Sequence, residues 1–170
     1  MFRKICNILT TILLVLLAIL AAAMLLPNLF GCKSMAVLSG SMEPNIPVGS
    51  IVYTGAVEFE TLEPGDVISY YLGDSSTLVT HRVVSVNQNE RTVVTKGDAN
   101  DVEDGAAVPE SKIMGRVLFH LPFLGYISIY CRTPVGIAVA CGVFLVLILL
   151  NFLPDVFEQE EEDKDKKSEK

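Results

Sequence analysis

A serine-containing turn, a histidine and an acidic loop are the parts of this sequence that could do chemistry together. Residues 39–44 have the sequence Ser-Gly-Ser-Met-Glu-Pro, which is too irregular for a helix and presents a serine hydroxyl on a tight turn. A nucleophilic serine needs a base to take its proton and donors to hold the oxyanion. His81 is a candidate base, and residues 96–105 supply carboxylates that could orient its ring. Together these residue types point to acyl transfer, although each alone also fits an ordinary turn, a core imidazole or a solvated loop.

His120 and Lys96 are weaker candidates for proton transfer. His120 lies near the C-terminal apolar segment and is expected to be a hydrogen-bonded interfacial residue. Lys96 is the alternative base, because the hairpin described below places it beside His81. The acidic loop does not match a helix-loop-helix calcium site, since Val102 and Glu103 occupy places that need an oxygen ligand and a glycine. We therefore expect no metal and no other cofactor.

The four cysteines form neither a disulfide framework nor a zinc-binding pattern. Cys6 and Cys141 lie inside apolar segments, where a thiol behaves as a small hydrophobic group. Cys32 and Cys131 lie just outside those segments on the same predicted side of a membrane. We expect all four to be free thiols, with a bridge between Cys32 and Cys131 as the alternative.

Five β-branched runs between the apolar ends must position the candidate groups. They predict a mainly β fold, a small domain that is curled or barrel-like so that its edges are hidden. The predicted strands cover residues 50–57, 66–72, 78–86, 91–96 and 113–121. A turn centred on residues 88–89 would pair Val86 with Arg91 and therefore His81 with Lys96. His81 would then face the core.

Composition divides the 170 residues into two apolar ends and one middle domain. The chain is 51% hydrophobic, and its mean hydropathy of +0.46 argues against a purely soluble protein. About residues 35–125 remain to form a water-soluble core, which is one small domain and excludes a multidomain enzyme. The net charge is -7, and residues 155–170 carry eight acids and four lysines, so the charge of a nucleic-acid-binding protein is missing.

Residues 5–26 and 134–153 are each long and apolar enough to cross a bilayer as helices. Arg3 and Lys4 precede the first helix, so the positive-inside rule places both termini in the cytoplasm and the middle domain outside. The predicted organisation is a cytoplasmic N-terminus (1–4), a transmembrane helix (5–26), an extracytoplasmic domain (27–133), a second transmembrane helix (134–153) and a solvated, disordered tail (154–170). A cleavable signal peptide is the alternative for the first helix, but its apolar run is longer than usual.

Five ordered motifs resemble signal peptidase I of the ER and archaeal type, a family that also occurs in Gram-positive bacteria. The first two are the N-terminal anchor and the Ser-Gly-Ser-Met-Glu-Pro segment. The others are Pro-Gly-Asp-Val-Ile at residues 64–68, Thr-His-Arg at 80–82, and Lys-Gly-Asp-Ala-Asn at 96–100 followed by Asp104. The resemblance covers about residues 37–126.

The resemblance implies a role for each matching residue. Ser41 would be the nucleophile, and His81 would be the general base where ordinary bacterial signal peptidases use lysine. Asp104 matches the catalytic aspartate and Asp98 a supporting one. The Ser39 hydroxyl would bind the oxyanion together with the Ser41 backbone N–H. The spacing leaves open which aspartate contacts the histidine, because Asp101 and Glu103 offer other carboxylates in the same loop.

The implied function is removal of N-terminal signal peptides from exported preproteins by a membrane-bound serine endopeptidase. Its expected partners are signal-peptide-bearing preproteins, the lipid membrane, and translocon or accessory membrane subunits, with no nucleic acid. An extended substrate would add as a strand to a sheet edge. Residues 35–38 and 119–129 would bring that groove to the lipid surface. The alternatives are a non-catalytic, membrane-anchored adaptor or assembly module and a self-processing regulator with the same catalytic groups.

Overall fold

A computed structural model describes residues 2–73 and 75–168, with side chains described for residues 4–73 and 75–152. It contains two compact units, one formed by the two chain ends and one formed by Met24–Ile129.

The first unit is built from long apolar helices. Helix α1 covers Phe2–Leu29, and helix α3 covers Pro134–Ser168. Within them, Lys4–Leu29 and Pro134–Phe152 are long and apolar enough to cross a membrane. Both predicted helices are therefore present, and their crossing of a membrane stays a prediction.

The apolar part of helix α3 ends at Phe152, shortly before Pro154. Helix α3 continues through this proline to Ser168, where the sequence predicted a disordered tail. A proline removes one backbone donor from a helix, whereas the glutamates and lysines that follow it are good helix formers.

The second unit is mainly a curled antiparallel β-sheet. Its seven strands have the order β1-β2-β7-β3-β4-β5-β6. In chain order they are β1 (Lys33–Ala36), β2 (Ile51–Gly55), β3 (Val67–Tyr71), β4 (Leu78–Asn87), β5 (Thr92–Lys96), β6 (Val108–Pro109) and β7 (Ile113–Leu121), and the short helix α2 (Leu124–Tyr130) follows. All five predicted strands are present, whereas β1 and β6 were not predicted. These two strands have only four and two residues, which is too short for a visible alternation.

Two hydrophobic clusters hold this unit together. The larger one contains Phe59, Leu62, Ile68, Tyr70, Val83, Val93 and Val108. The smaller one contains Met42, Ile46 and Val52. Because Met42 is almost fully buried, its burial fixes the serine turn to the sheet.

The predicted register between β4 and β5 was wrong. Arg82, not His81, lies opposite Lys96, and the pairing shifts between Val83 and Ser85. The connection between β4 and β5 has four residues instead of the two predicted, which shifts the pairing by two positions. The β-bulge then reduces this shift to one position. His81 nevertheless faces the core as predicted, where it lies opposite Ile68 of β3 and is 8% exposed. The four cysteines are unpaired in this structure.

Candidate active site

Ser41 lies in a single 3₁₀ turn, Gly40–Met42, between β1 and β2. Its carbonyl oxygen accepts a hydrogen bond from the Ala99 N–H at 2.9 Å, which joins the turn to the loop after β5. A Cβ at Gly97 would lie 2.6 Å from the same carbonyl oxygen, so this close approach requires glycine. The Ser41 Oγ lies 3.5 Å from the Ser39 Oγ. The predicted tight turn is therefore present, and its backbone is fixed from two sides.

Asp98 joins the serine turn to strand β4. Its carboxylate accepts two hydrogen bonds from the Arg82 guanidinium, at 2.8 and 2.7 Å, and one from the Asn45 amide at 2.8 Å. The hydrogen bonds from Arg82, together with that from Asn45, lower the pKa of Asp98 in spite of its burial. Asp98 therefore joins Asn45, which follows the serine turn, to Arg82, which follows His81 in the sequence.

Asp104 is the carboxylate that contacts His81. The His81 Nδ1 and the Asp104 Oδ2 are 2.6 Å apart, a short distance that is typical of a charge-assisted hydrogen bond. The Asp104 N–H donates a hydrogen bond to the Thr95 carbonyl oxygen at 2.8 Å, which fixes the loop that carries Asp104. A carboxylate at Nδ1 holds the imidazole in the tautomer that leaves Nε2 free to accept a proton.

Two buried hydroxyl groups share the same carboxylate oxygen. Thr95 Oγ1 donates to Asp104 Oδ2 at 2.6 Å, and Tyr70 Oη donates to it at 3.1 Å. Burial alone would raise the pKa of Asp104, but the hydrogen bonds from Thr95, His81 and Tyr70 outweigh it and lower the pKa. The sequence analysis missed both residues. The signal that would have found them is the strand register, because Tyr70 lies two residues from the partner of His81.

Ser41 and His81 line one cavity of about 650 Å³, which also contains Ser39. Among the contacts of the described residues, the Ser41 Oγ is not hydrogen-bonded to His81. Catalytic hydrogen bonds of this kind often form only once substrate is bound. The rest of the lining is largely apolar and comes from residues 35–46, β2 and the start of β4, with Asn100 from the loop after β5. Its apolar residues include Met35, Val37, Leu38, Met42, Ile46, Val52, Leu78 and Val79.

One edge of this cavity is an open strand edge. Strand β4 begins at Leu78, but its pairing with β5 begins only at Arg82. Residues 78–81 therefore have a strand partner on the β3 side alone within the described part of the sheet. An extended peptide that enters the cavity can add to this edge through backbone hydrogen bonds.

The other sequence candidates make no hydrogen bond to the Ser41 or His81 side chain among the described residues. His120 lies on β7 opposite Val52, and Lys96 lies on β5 opposite Arg82. Asp101 and Glu103 are exposed. Across residues 4–73 and 75–152, no group of three or more His, Cys, Asp or Glu side chains is placed to hold a metal ion.

Comparison with known proteins finds signal peptidases. The chain is 36% identical over 100 residues to signal peptidase I W of Bacillus subtilis, which covers 56% of this chain and 52% of that protein. It is 31% identical over 105 residues to the signal peptidase complex catalytic subunit SEC11 of Candida dubliniensis, over 56% of this chain and 63% of that protein. The rat subunit SEC11C is 24% identical over 127 residues, 66% of each chain.

The alignments are partial. The chain matches about half to two thirds of the length of these curated relatives. No family model matches it. The relatives confirm the resemblance to signal peptidase I of the ER and archaeal type that the sequence motifs indicated.

Proposed function

We propose that this chain, a relative of signal peptidase I of the ER and archaeal type, is a membrane-bound serine endopeptidase that removes N-terminal signal peptides from exported preproteins. One observation carries the proposal. His81, whose Nδ1 lies 2.6 Å from the Asp104 Oδ2, lines the same cavity as Ser41. A nucleophile, a base and a group that orients the base are the minimum set for acyl transfer by a serine enzyme.

In this mechanism, neutral His81 acts through Nε2. It takes the proton from the Ser41 Oγ as that oxygen attacks the carbonyl carbon of the scissile bond, and it then gives the proton to the leaving amine. A water molecule, deprotonated by the same imidazole, hydrolyses the acyl-enzyme. Asp104 keeps the proton of the ring on Nδ1 and stabilises the positive charge that develops on the ring.

The oxyanion is stabilised by groups of the serine turn. We assign this role to the Ser41 backbone N–H and the Ser39 hydroxyl, which lies 3.5 Å from the attacking oxygen. Asp98 supports the site indirectly, because it fixes the chain on both sides of the Ser41–His81 gap. It is therefore a positioning residue in this mechanism.

The shape of the cavity suits an extended apolar peptide. Substrate backbone adds to the edge at residues 78–81, and the buried side chains of Met42, Ile46 and Val52 form a floor that leaves room for small substrate side chains. A peptide that emerges from a bilayer presents such a segment. We place the second unit, which contains the β-sheet, outside the cytoplasm and both termini in the cytoplasm. We also propose accessory membrane subunits as partners.

The test is cleavage of a signal-peptide-bearing preprotein by the full chain in detergent, with the product N-terminus read by mass spectrometry. Wild type should cut once, after the signal peptide, and Ser41→Ala and His81→Ala should not cut. The matched control is Ser85→Ala, at an exposed serine of β4, and it should keep wild-type activity.

Three outcomes would contradict the proposal. Full turnover by Ser41→Ala would exclude that serine as the nucleophile. Activity in His81→Ala that is lost in Lys96→Met would move the base role to Lys96. If no variant and no wild-type preparation cut any preprotein, the adaptor function would replace the peptidase function.

A further inference from the structure

We propose that Tyr70 is a positioning residue that determines how strongly Asp104 attracts the proton of His81, and so the pH at which the base becomes active. The proposal rests on the proposed function, because it concerns the same site. It adds a residue that none of the five sequence motifs contains, and it assigns to that residue an effect on the pH dependence of the reaction.

The geometry concentrates three donors on one oxygen. Asp104 Oδ2 lies 2.6 Å from His81 Nδ1, 2.6 Å from Thr95 Oγ1 and 3.1 Å from Tyr70 Oη. Both hydroxyl residues are buried, Tyr70 at 3% and Thr95 at 0% exposure. Their hydroxyl groups are therefore held in place and exchange little with water.

The tyrosine ring itself is fixed by packing. Tyr70 belongs to the larger hydrophobic cluster, and its ring meets the His81 ring edge to face, with 6.4 Å between the centroids. Burial, followed by the nearby Asp104 charge, raises the pKa of Tyr70 to about 12. The phenol therefore remains protonated and remains a hydrogen-bond donor throughout the range in which the enzyme works.

Each donor on Oδ2 takes up part of its negative charge. A carboxylate oxygen that is shared among three donors stabilises the imidazolium less than one that serves His81 alone. Without the Tyr70 hydroxyl, more of the Asp104 charge acts on His81, the protonated ring becomes more stable, and a higher pH is needed to produce the neutral base. Tyr70 thus keeps the base active at lower pH.

Other charged groups also lie near the His81–Asp104 pair. Asp98, which is paired with Arg82, lies in the same loop as Asp104. Lys112 and Asp104 line a second cavity of about 600 Å³ on the side of Tyr70. Lys96 of β5 lies opposite Arg82. Tyr70→Phe changes no charged side chain. It removes two hydrogen bonds, the one that Tyr70 Oη donates to Asp104 Oδ2 and the one that it accepts from Thr95 Oγ1 at 3.2 Å. The Thr95 hydroxyl keeps Asp104 Oδ2 as its acceptor.

The first experiment measures the pH profile of kcat/KM for preprotein cleavage by wild type and Tyr70→Phe. We expect the acid limb of Tyr70→Phe to move to higher pH by about half a unit, with kcat/KM on the plateau within about twofold of wild type. The matched control is Tyr71→Phe, the same change at the next residue, whose side chain is on the exposed side of β3. An unmoved acid limb in Tyr70→Phe, or an equal shift in Tyr71→Phe, would overturn the proposal.

A second readout does not depend on activity. The chain has two histidines, so the His81 ring signals can be assigned in the full chain in detergent with the help of His120→Gln. The titration of these signals should move to higher pH in Tyr70→Phe and stay in place in Tyr71→Phe. If this shift is found while no preprotein is cut, the proposed function fails and the coupling stands; if cleavage occurs without the shift, the coupling fails alone.

A second variant keeps the proposal testable if Tyr70→Phe does not fold. Thr95→Val keeps the shape of the side chain and removes the other hydroxyl that donates to the same oxygen. It should move the acid limb and the histidine titration in the same direction. No shift in Thr95→Val would contradict the charge-sharing argument.

Discussion

Replacing Asp98 by asparagine tests how the serine turn is fixed. The Asp98 carboxylate accepts two hydrogen bonds from Arg82 and one from Asn45, and its side chain is 9% exposed. An asparagine offers one acceptor oxygen, and even in its better orientation its amide group would face the Arg82 Nε–H donor. The substitution therefore removes the charge and breaks at least one hydrogen bond of this cluster.

The cost can be worked from the contacts. A hydrogen bond to a charged group contributes about 1.5–3 kcal/mol, and a screened ion pair contributes less. Because the Arg82 side chain is 35% exposed, we discount the pair and expect Asp98→Asn to lower the free energy of unfolding by about 2–3 kcal/mol. Release of Asn45 also loosens the serine turn, so kcat/KM should fall by about 10- to 100-fold.

The assay is urea unfolding of the full chain in detergent, followed by tyrosine fluorescence because the chain has no tryptophan. The matched control is Glu60→Gln, which breaks an ion pair with Arg91 between side chains that are 60% and 47% exposed. We expect no measurable loss of stability there, since exposed ion pairs contribute little. Equal losses in the two variants, or wild-type stability of Asp98→Asn, would refute this account of the turn.

Two further predictions concern the same loop. Gly97→Ala places a Cβ 2.6 Å from the Ser41 carbonyl oxygen, so it should displace the serine turn and lower kcat/KM at least tenfold. Gly105→Ala is the control, because a Cβ at Gly105 would meet open space and should leave kcat/KM unchanged. Cleavage assays of both variants check this. Folding lowers the pKa of Asp98 and of Asp104 below the ordinary value of 3.8. The two ionised carboxylates therefore contribute their full stability above pH 3.8, and this contribution is lost as the pH falls through their lower pKa values in the folded protein. A series of urea midpoints measured below pH 5 should decline more steeply in wild type than in Asp98→Asn.

The strands of the middle unit were predictable because β-branched residues alternate along them between clear turn signals. The register of β4 and β5 was not, because a four-residue connection and the bulge between Val83 and Ser85 together move the pairing by one residue. That shift is why Lys96 lies beside Arg82 and not beside His81. Strands β1 and β6 were too short to show any period.

The candidate site was also predictable only in part. Ser41, His81 and Asp104 were predicted from motifs. In the structure, His81 contacts Asp104, and Ser41 and His81 line the same cavity. Spacing along the chain did not show which aspartate meets the imidazole, since both belong to one loop. Tyr70 and Thr95 reach that loop only through the strand register, which the sequence did not specify.

The coupling of His81 and Asp104 is the central claim, and one double-mutant cycle tests it most directly. We would measure kcat/KM for preprotein cleavage by wild type, His81→Ala, Asp104→Asn and the double variant. If Asp104 acts only through His81, Asp104→Asn alone should lower kcat/KM on the order of 10³- to 10⁴-fold, and it should cause no further loss when His81 is already absent. Losses that multiply in the double variant would show that the two residues act independently and would contradict the account.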